Sequence, residues 1–196
     1  MLNNKTIAVI VPAYNEEHQI AMVLETMPDF VDRIIVIDDH SEDSTGDIVK
    51  GFIKTEKSKN FKIENVRNNI KPNRYNRADI LLINRQKDEN KYYSPFVVFN
   101  ENEDTDRIIL IRHKINAGKG AGIATGFKWA KDHGIDCTAT MDGDGQMDPD
   151  ELKSICTPVV EEGIDYVKGN RLIHRSAPEI IPTVRYFGNS ILSILT

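Results

Sequence analysis

The sequence predicts an α/β protein with a mostly parallel central sheet and helices on both of its faces. Three observations carry this. Short β-branched and apolar runs alternate with stretches of helical spacing along most of the chain. The runs are continuously apolar, as strands buried on two faces are. Polar side chains collect directly after the runs, at the carboxyl ends where such sheets bind ligands. The 196 residues, 40% apolar and 28% charged, suit a single domain with a substantial core. A formal charge of −5 supplies no basic footprint for nucleic acid.

In chain order, residues 6–11 read as a strand closed by Pro12. A helix follows over 16–27, with Ile20, Val23, Leu24 and Met27 on one stripe. Residues 33–37 form a second strand ending at Asp38, Asp39, His40 and Ser41, and the next helix starts near Ser44 and Thr45, whose hydroxyls suit a cap. Strands at 108–111 and 137–141 and a helix at 119–131 continue the alternation. The helix at 150–160 is expected to break around Pro158.

Between about 54 and 106 the alternation lapses into a polar insertion carrying Lys57, Lys59, Lys62, Arg67, Lys71, Arg74 and Arg77. Residues 80–83 and 96–99 read as a small hairpin, making the insertion a subdomain on the sheet edge. Its basic residues read as a solvated face, with contact to anionic lipid headgroups the sharper alternative. The start of the chain, MLNNKTIAVIVP, is too short an apolar run for a signal peptide, and nothing in the sequence spans a membrane. The chain stops at ILSILT inside an apolar helical pattern without a stop signal, so a membrane-associated segment is expected after Thr196. Cys137 and Cys156 lack metal-like spacing and read as core thiols of a reduced setting.

The stretch 138–150, TATMDGDGQMDPD, holds the chemistry. Asp142, Asp144 and Gln146 place oxygen donors at alternate positions after an apolar run, as hard cations such as Mg²⁺ and Mn²⁺ require. Gly143 and Gly145 let the backbone turn and a phosphate approach. An ordinary acidic turn is the plain competitor. A calcium loop of the EF-hand kind fails, because its required glycine and final acid fall on Met147 and Lys153. Matching polar clusters favour a ligand site: Tyr14, Asn15 and Glu16, then Asp38 and Asp39, then Asn116, each after another strand. Asp148 and Asp150 read as the start of the next helix.

Other motifs resolve to simpler roles. In NAGKGAGIATG, 116–126, the third glycine of a dinucleotide fingerprint would fall on Ile123 or Thr125, and Lys119 lacks the flanking residues of a P-loop. The glycines there suit close helix packing, and Lys119 suits a phosphate contact. His18, His40, His113, His133 and His174 share no zinc spacing, and no serine stands in a nucleophile elbow. Trp129 reads as core.

Taken together, VPAYNE (11–16), VIDDHSEDST (36–45), NAGKGAG (116–122), MDGDGQMDP (141–149) and GNR (169–171) resemble family 2 glycosyltransferases in order and separation. Within that family they look most like polyprenol-phosphate and dolichol-phosphate sugar transferases. The resemblance implies the GT-A fold over 1–196 apart from the insertion, and inverting transfer from a nucleotide-sugar donor. It places Pro12, Tyr14 and Glu16 in the nucleoside pocket, with Ile37, Asp38 and Asp39 beside the base. Lys119, Asp142 and Gly143 go to the nucleotide's phosphates. Asp142, Asp144 and Gln146 would hold Mg²⁺ or Mn²⁺, and Arg171 and Arg185 would contact phosphates. The insertion has no counterpart in compact members, and Asn189 stands where many relatives carry serine.

The expected function is metal-dependent transfer of a sugar from a UDP-, GDP- or dTDP-sugar to a polyprenyl phosphate, dolichyl or undecaprenyl, at the cytoplasmic face of a membrane. No acid after Asp150 stands in a recognisable general-base motif. A phosphate acceptor needs none, and Arg171, Arg175 and Arg185 are suitable partners for it. The alternatives are transfer to a saccharide hydroxyl, a nucleotidyltransferase, and a catalytically silent nucleotide- or calcium-binding module. Uracil, guanine and thymine all offer donors to a carboxylate such as Asp39, so base and sugar stay open.

Overall fold

A computed structural model of the chain describes residues 1–55, 73 and 76–169. Its strands are β1 (Ile7–Ala13), β2 (Arg33–Asp38), β3 (Phe96–Val98), β4 (Ile108–His113) and β5 (Cys137–Thr140). Its helices are α1 (Ile20–Glu25), α2 (Thr45–Thr55), α3 (Arg77–Glu89), α4 (Lys119–Asp132) and α5 (Leu152–Glu161). The strands form one sheet in the order β3-β4-β2-β1-β5. Pairing is parallel from β4 through β2 and β1 to β5, and β3 runs antiparallel at the edge.

The continuous apolar runs follow from burial on both faces. Ile7, Val9 and Val11 of β1 turn to the side covered by Ile20, Val23 and Leu24 of α1, Val49 of α2, and Leu152 and Cys156 of α5. Ala8 and Ile10 turn to the other side, where Ile35, Ile37, Ile109 and Ile111 meet Trp129 and Ala130 of α4. Cys137 of β5 and Cys156 of α5 are buried and unbridged, as core thiols. Among the described residues no helix is long and apolar enough to cross a membrane.

The structure corrects the reading at three places. Residues 80–83 lie inside α3 and form no hairpin strand. A four-residue apolar run has no period of its own, and here the flanking residues carry the helix over 13 positions. Phe96–Val98 is a strand, but it pairs with β4 through Phe96 opposite His113 and Val98 opposite Ile111, so it widens the central sheet. α5 runs unbroken through Pro158 to Glu161. One proline removes a single helical hydrogen bond, and the Pro158 carbonyl still accepts from the Glu162 amide at 3.0 Å. Of the insertion's basic residues, Arg77 opens α3; Lys57, Lys59, Lys62, Lys71, Arg67 and Arg74 lie outside the described residues.

α4 crosses the sheet at a glycine. A Cβ on Gly126 would stand 2.4 Å from Ile10 Cγ2, a branched side chain with no room to yield in the core. Gly126→Ala gains about 1 kcal/mol of helix propensity but overpacks the interface at about 1–3 kcal/mol. Urea denaturation should therefore show a lower midpoint at unchanged slope.

Candidate functional site

Because β1, β2, β4 and β5 are mutually parallel, the loops after them open on the same edge of the sheet. β1 connects through α1 to β2 on one side, while β5, reached from β4 through α4, pairs on its other side, so the loops after β1 and β5 stand next to each other.

The first two loops are laced together. The Asn15 amide donates to Ser41 Oγ at 3.1 Å, and Asn15 Oδ1 accepts from the Glu42 amide at 2.9 Å. The Glu16 amide donates to Thr45 Oγ1 at 2.8 Å, and that hydroxyl donates to Asp43 Oδ1 at 2.5 Å. The Glu17 amide reaches Asp43 Oδ2 at 3.0 Å. Asp43 thus caps α2 as well, accepting from the Thr45 amide at 3.0 Å, so the expected hydroxyl cap is a carboxylate cap working through Thr45. Asn15 and His40 take left-handed backbone at φ of 56° and 65°, turning each chain back from its strand.

Asp39 binds the third loop. Its amide donates to the Ala13 carbonyl at 2.9 Å. Its carboxylate accepts from the Ala117 amide at 3.0 Å, the Gly118 amide at 2.7 Å and His113 Nδ1 at 2.6 Å. His113 is itself buried and reaches Thr125 Oγ1 through Nε2 at 2.9 Å. Burial pushes the Asp39 carboxyl up, but the two amides and His113 outweigh it and hold it below the usual carboxylate range. Three of about four lone-pair positions on the carboxylate are taken, which leaves one for a further donor.

The fourth loop continues β5 alongside β1. The Met141 amide donates to the Ile10 carbonyl at 3.0 Å and the Gly143 amide to the Pro12 carbonyl at 3.3 Å. Met141 and Gly143 consequently face inward, and Asp142 and Asp144 between and after them remain partly exposed. A Cβ at Gly143 would lie 3.1 Å from the Pro12 carbonyl oxygen and 3.2 Å from Ala13 Cβ, so glycine permits this approach. Asp144 Oδ1 accepts from the Gln146 amide at 3.0 Å, and Gly145 turns the chain at φ 70°. Asp148 caps the turn Pro149–Glu151 that starts the next helix, as read from the sequence.

Charge is concentrated here. The Glu16 carboxyl is raised above its ordinary value by burial first, and then by the charges of Asp144, Asp43 and Asp142. Lys119, first residue of α4, answers them: its ammonium stands 2.6 Å from Asp142 Oδ1 and 2.7 Å from Oδ2. The donors are all oxygen, which suits Mg²⁺ or Mn²⁺. Among the described residues no three ionisable side chains close into a cage for an ion.

Of the residues expected at the site, Tyr14, Glu16, Asp142, Gly143, Asp144 and Gln146 stand on these loops, beyond Pro12 of β1, and Lys119 opens α4. Ile37 and Asp38 have no exposed surface. Ile37 lies under Gly122, and Asp38 pairs with Arg112 Nε at 3.4 Å and accepts from the Ser41 amide at 2.8 Å. Arg171, Arg175, Arg185 and Asn189 lie outside the described residues. Reading the sequence missed Asp43, His113 and Thr125. Only His113 carried a signal, as a polar residue closing an apolar strand.

A parallel sheet whose carboxyl edge carries an acidic D-x-D loop beside such polar loops defines a GT-A-type sugar transferase. The chain belongs to glycosyl transferase family 2, whose sequence model matches residues 8–78 and 66–191. It is 29% identical over 98% of its length to a UDP-N-acetylglucosamine–dolichyl-phosphate N-acetylglucosaminyltransferase of Methanococcus voltae. It is 24% identical over 84% of its length to a polyprenol monophosphomannose synthase of Mycolicibacterium smegmatis. The matches cover 62% and 44% of those proteins.

Asp39→Asn should cost about 2 kcal/mol at pH 7, the scale of a charged hydrogen-bond network. The carboxyl is lowered in the folded state, so its contribution is present above about pH 4 and is lost as pH falls through the folded-state value. Urea titrations of both proteins at pH 7 and at pH 3 should show the difference shrinking in acid.

Proposed function

We propose that this glycosyltransferase moves a sugar from a nucleotide-sugar to a polyprenyl phosphate at the cytoplasmic face of a membrane, with inversion and with Mg²⁺ or Mn²⁺. The observation that carries the reading is the meeting of Asp142, Asp144, Glu16 and Lys119 at the carboxyl edge. The relatives include a dolichyl-phosphate N-acetylglucosaminyltransferase and a polyprenol monophosphomannose synthase, which supports the acceptor class.

In this reading Tyr14, half exposed beyond β1, receives the nucleoside with Pro12, and Asp39 offers its remaining lone pair to a base N–H. Asp142, Asp144 and Gln146 would hold the cation, which would supply stabilisation of the charge on the departing nucleoside diphosphate. Lys119 takes a phosphate oxygen, and Arg171 and Arg185 take the phosphate of the acceptor or donor. An acceptor phosphate is already ionised, so the site needs no carboxylate base for it.

Transfer should be followed by mass spectrometry with UDP-, GDP- and dTDP-sugars offered against a polyprenyl phosphate and against a free glycan. Lipid-linked product is expected, and a product on the glycan alone would move the reading to a saccharide hydroxyl. Asp144→Ala should lower the rate by about 10²-fold or more, the equivalent of several kcal/mol of charge stabilisation. Normal activity of that variant without added metal would reject the metal role.

A further inference from the structure

Asp142 already has a cation. Both of its carboxylate oxygens lie within 2.7 Å of the Lys119 ammonium, which stands astride them. The backbone beneath Lys119 is fixed, because the Ala117 and Gly118 amides just before it are held by Asp39. The lysine stem is more than half exposed and can swing. Among the described residues Asp144, by contrast, has no lysine: its Oδ1 accepts from the Gln146 amide at 3.0 Å. The two carboxylates of the D-x-D pair are therefore in different states before any ligand arrives.

A divalent ion entering between them must share Asp142 with an ammonium or displace it, and like charges at that separation repel. The displaced ammonium would need another anion. Glu16 and Asp43 are nearby, but Asp43 is occupied by the Thr45 hydroxyl, the Thr45 amide and the Glu17 amide. A diphosphate supplies several strong acceptors in one group.

We infer that Lys119 is an exchangeable counter-ion of the metal site: it holds Asp142 closed to divalent ions until a nucleoside diphosphate draws the ammonium onto its phosphates. The inference rests on the donor-site reading above. It makes metal and nucleotide binding interdependent through a protein side chain, in addition to any direct contact between ion and phosphate. By reciprocity the nucleotide gains from the metal what the metal gains from the nucleotide.

The test is Mn²⁺ binding without any turnover. Loss of the free-ion EPR signal would be titrated for the wild type, Lys119→Met and Lys119→Arg, alone and with saturating UDP, GDP or dTDP. Lys119→Met should bind Mn²⁺ alone about fivefold or more tightly than the wild type, and its enhancement by nucleotide should shrink. Lys119→Arg, which keeps the charge, should follow the wild type. Equal Mn²⁺ affinity of Lys119→Met and wild type without nucleotide, in proteins that still bind Mn²⁺ with nucleotide, overturns the exchange and leaves the donor site standing. Failure of all three proteins to bind Mn²⁺ with UDP, GDP or dTDP overturns the donor site and the exchange with it.

Discussion

Asp39 is the group on which the carboxyl edge depends. Its amide holds the end of β1, its carboxylate holds the loop before α4, and through His113 it reaches the end of β4 and Thr125 inside α4. A parallel sheet brings strand ends to one side, but the loop before α4 shares no ladder with the loop after β2. One buried carboxylate with three donors replaces that missing ladder. Because the group is nearly without solvent, its bonds are strong and its loss would leave amides unpaired.

On this frame the site accumulates negative charge. Asp142, Asp144, Asp43 and Glu16 stand close enough for three of them to raise the fourth. Such crowding is unfavourable in the protein alone and is relieved by positive charge. Lys119 provides part of that relief, and the rest is available to a ligand. The hydrogen bonds between the loops after β1 and β2 hold Glu16 against this repulsion, since its backbone is pinned to Thr45 and, one residue on, to Asp43. Stability and binding are thus set by the same few side chains.

Much of this was legible in the sequence. The doubly buried strands, the helices at Lys119 and after Asp150, and the acidic loop at Asp142 announce themselves because their signals are local: period, composition and turn chemistry within a dozen residues. Where a local signal was ambiguous the reading failed, as at residues 80–83, where four apolar residues read equally as strand and as helix. It failed also at Pro158, where neighbouring turns carried the helix past a breaker. Ile37 and Asp38, placed beside the base by the resemblance, have no exposed surface, because β2 is covered on both faces of the sheet.

By itself the sequence determined the α/β class, the carboxyl-end placement of the polar motifs, and the membership of a sugar-transferase family. These follow from contiguous residues. Only the tertiary structure decided that Asp39 meets His113 across 74 positions, that Lys119 meets Asp142 across 23, and that β3 joins the sheet edge. Such pairings depend on strand order and on the crossing of α4 over the sheet at Gly126. Both are outcomes of packing the whole chain, and no window of residues contains them.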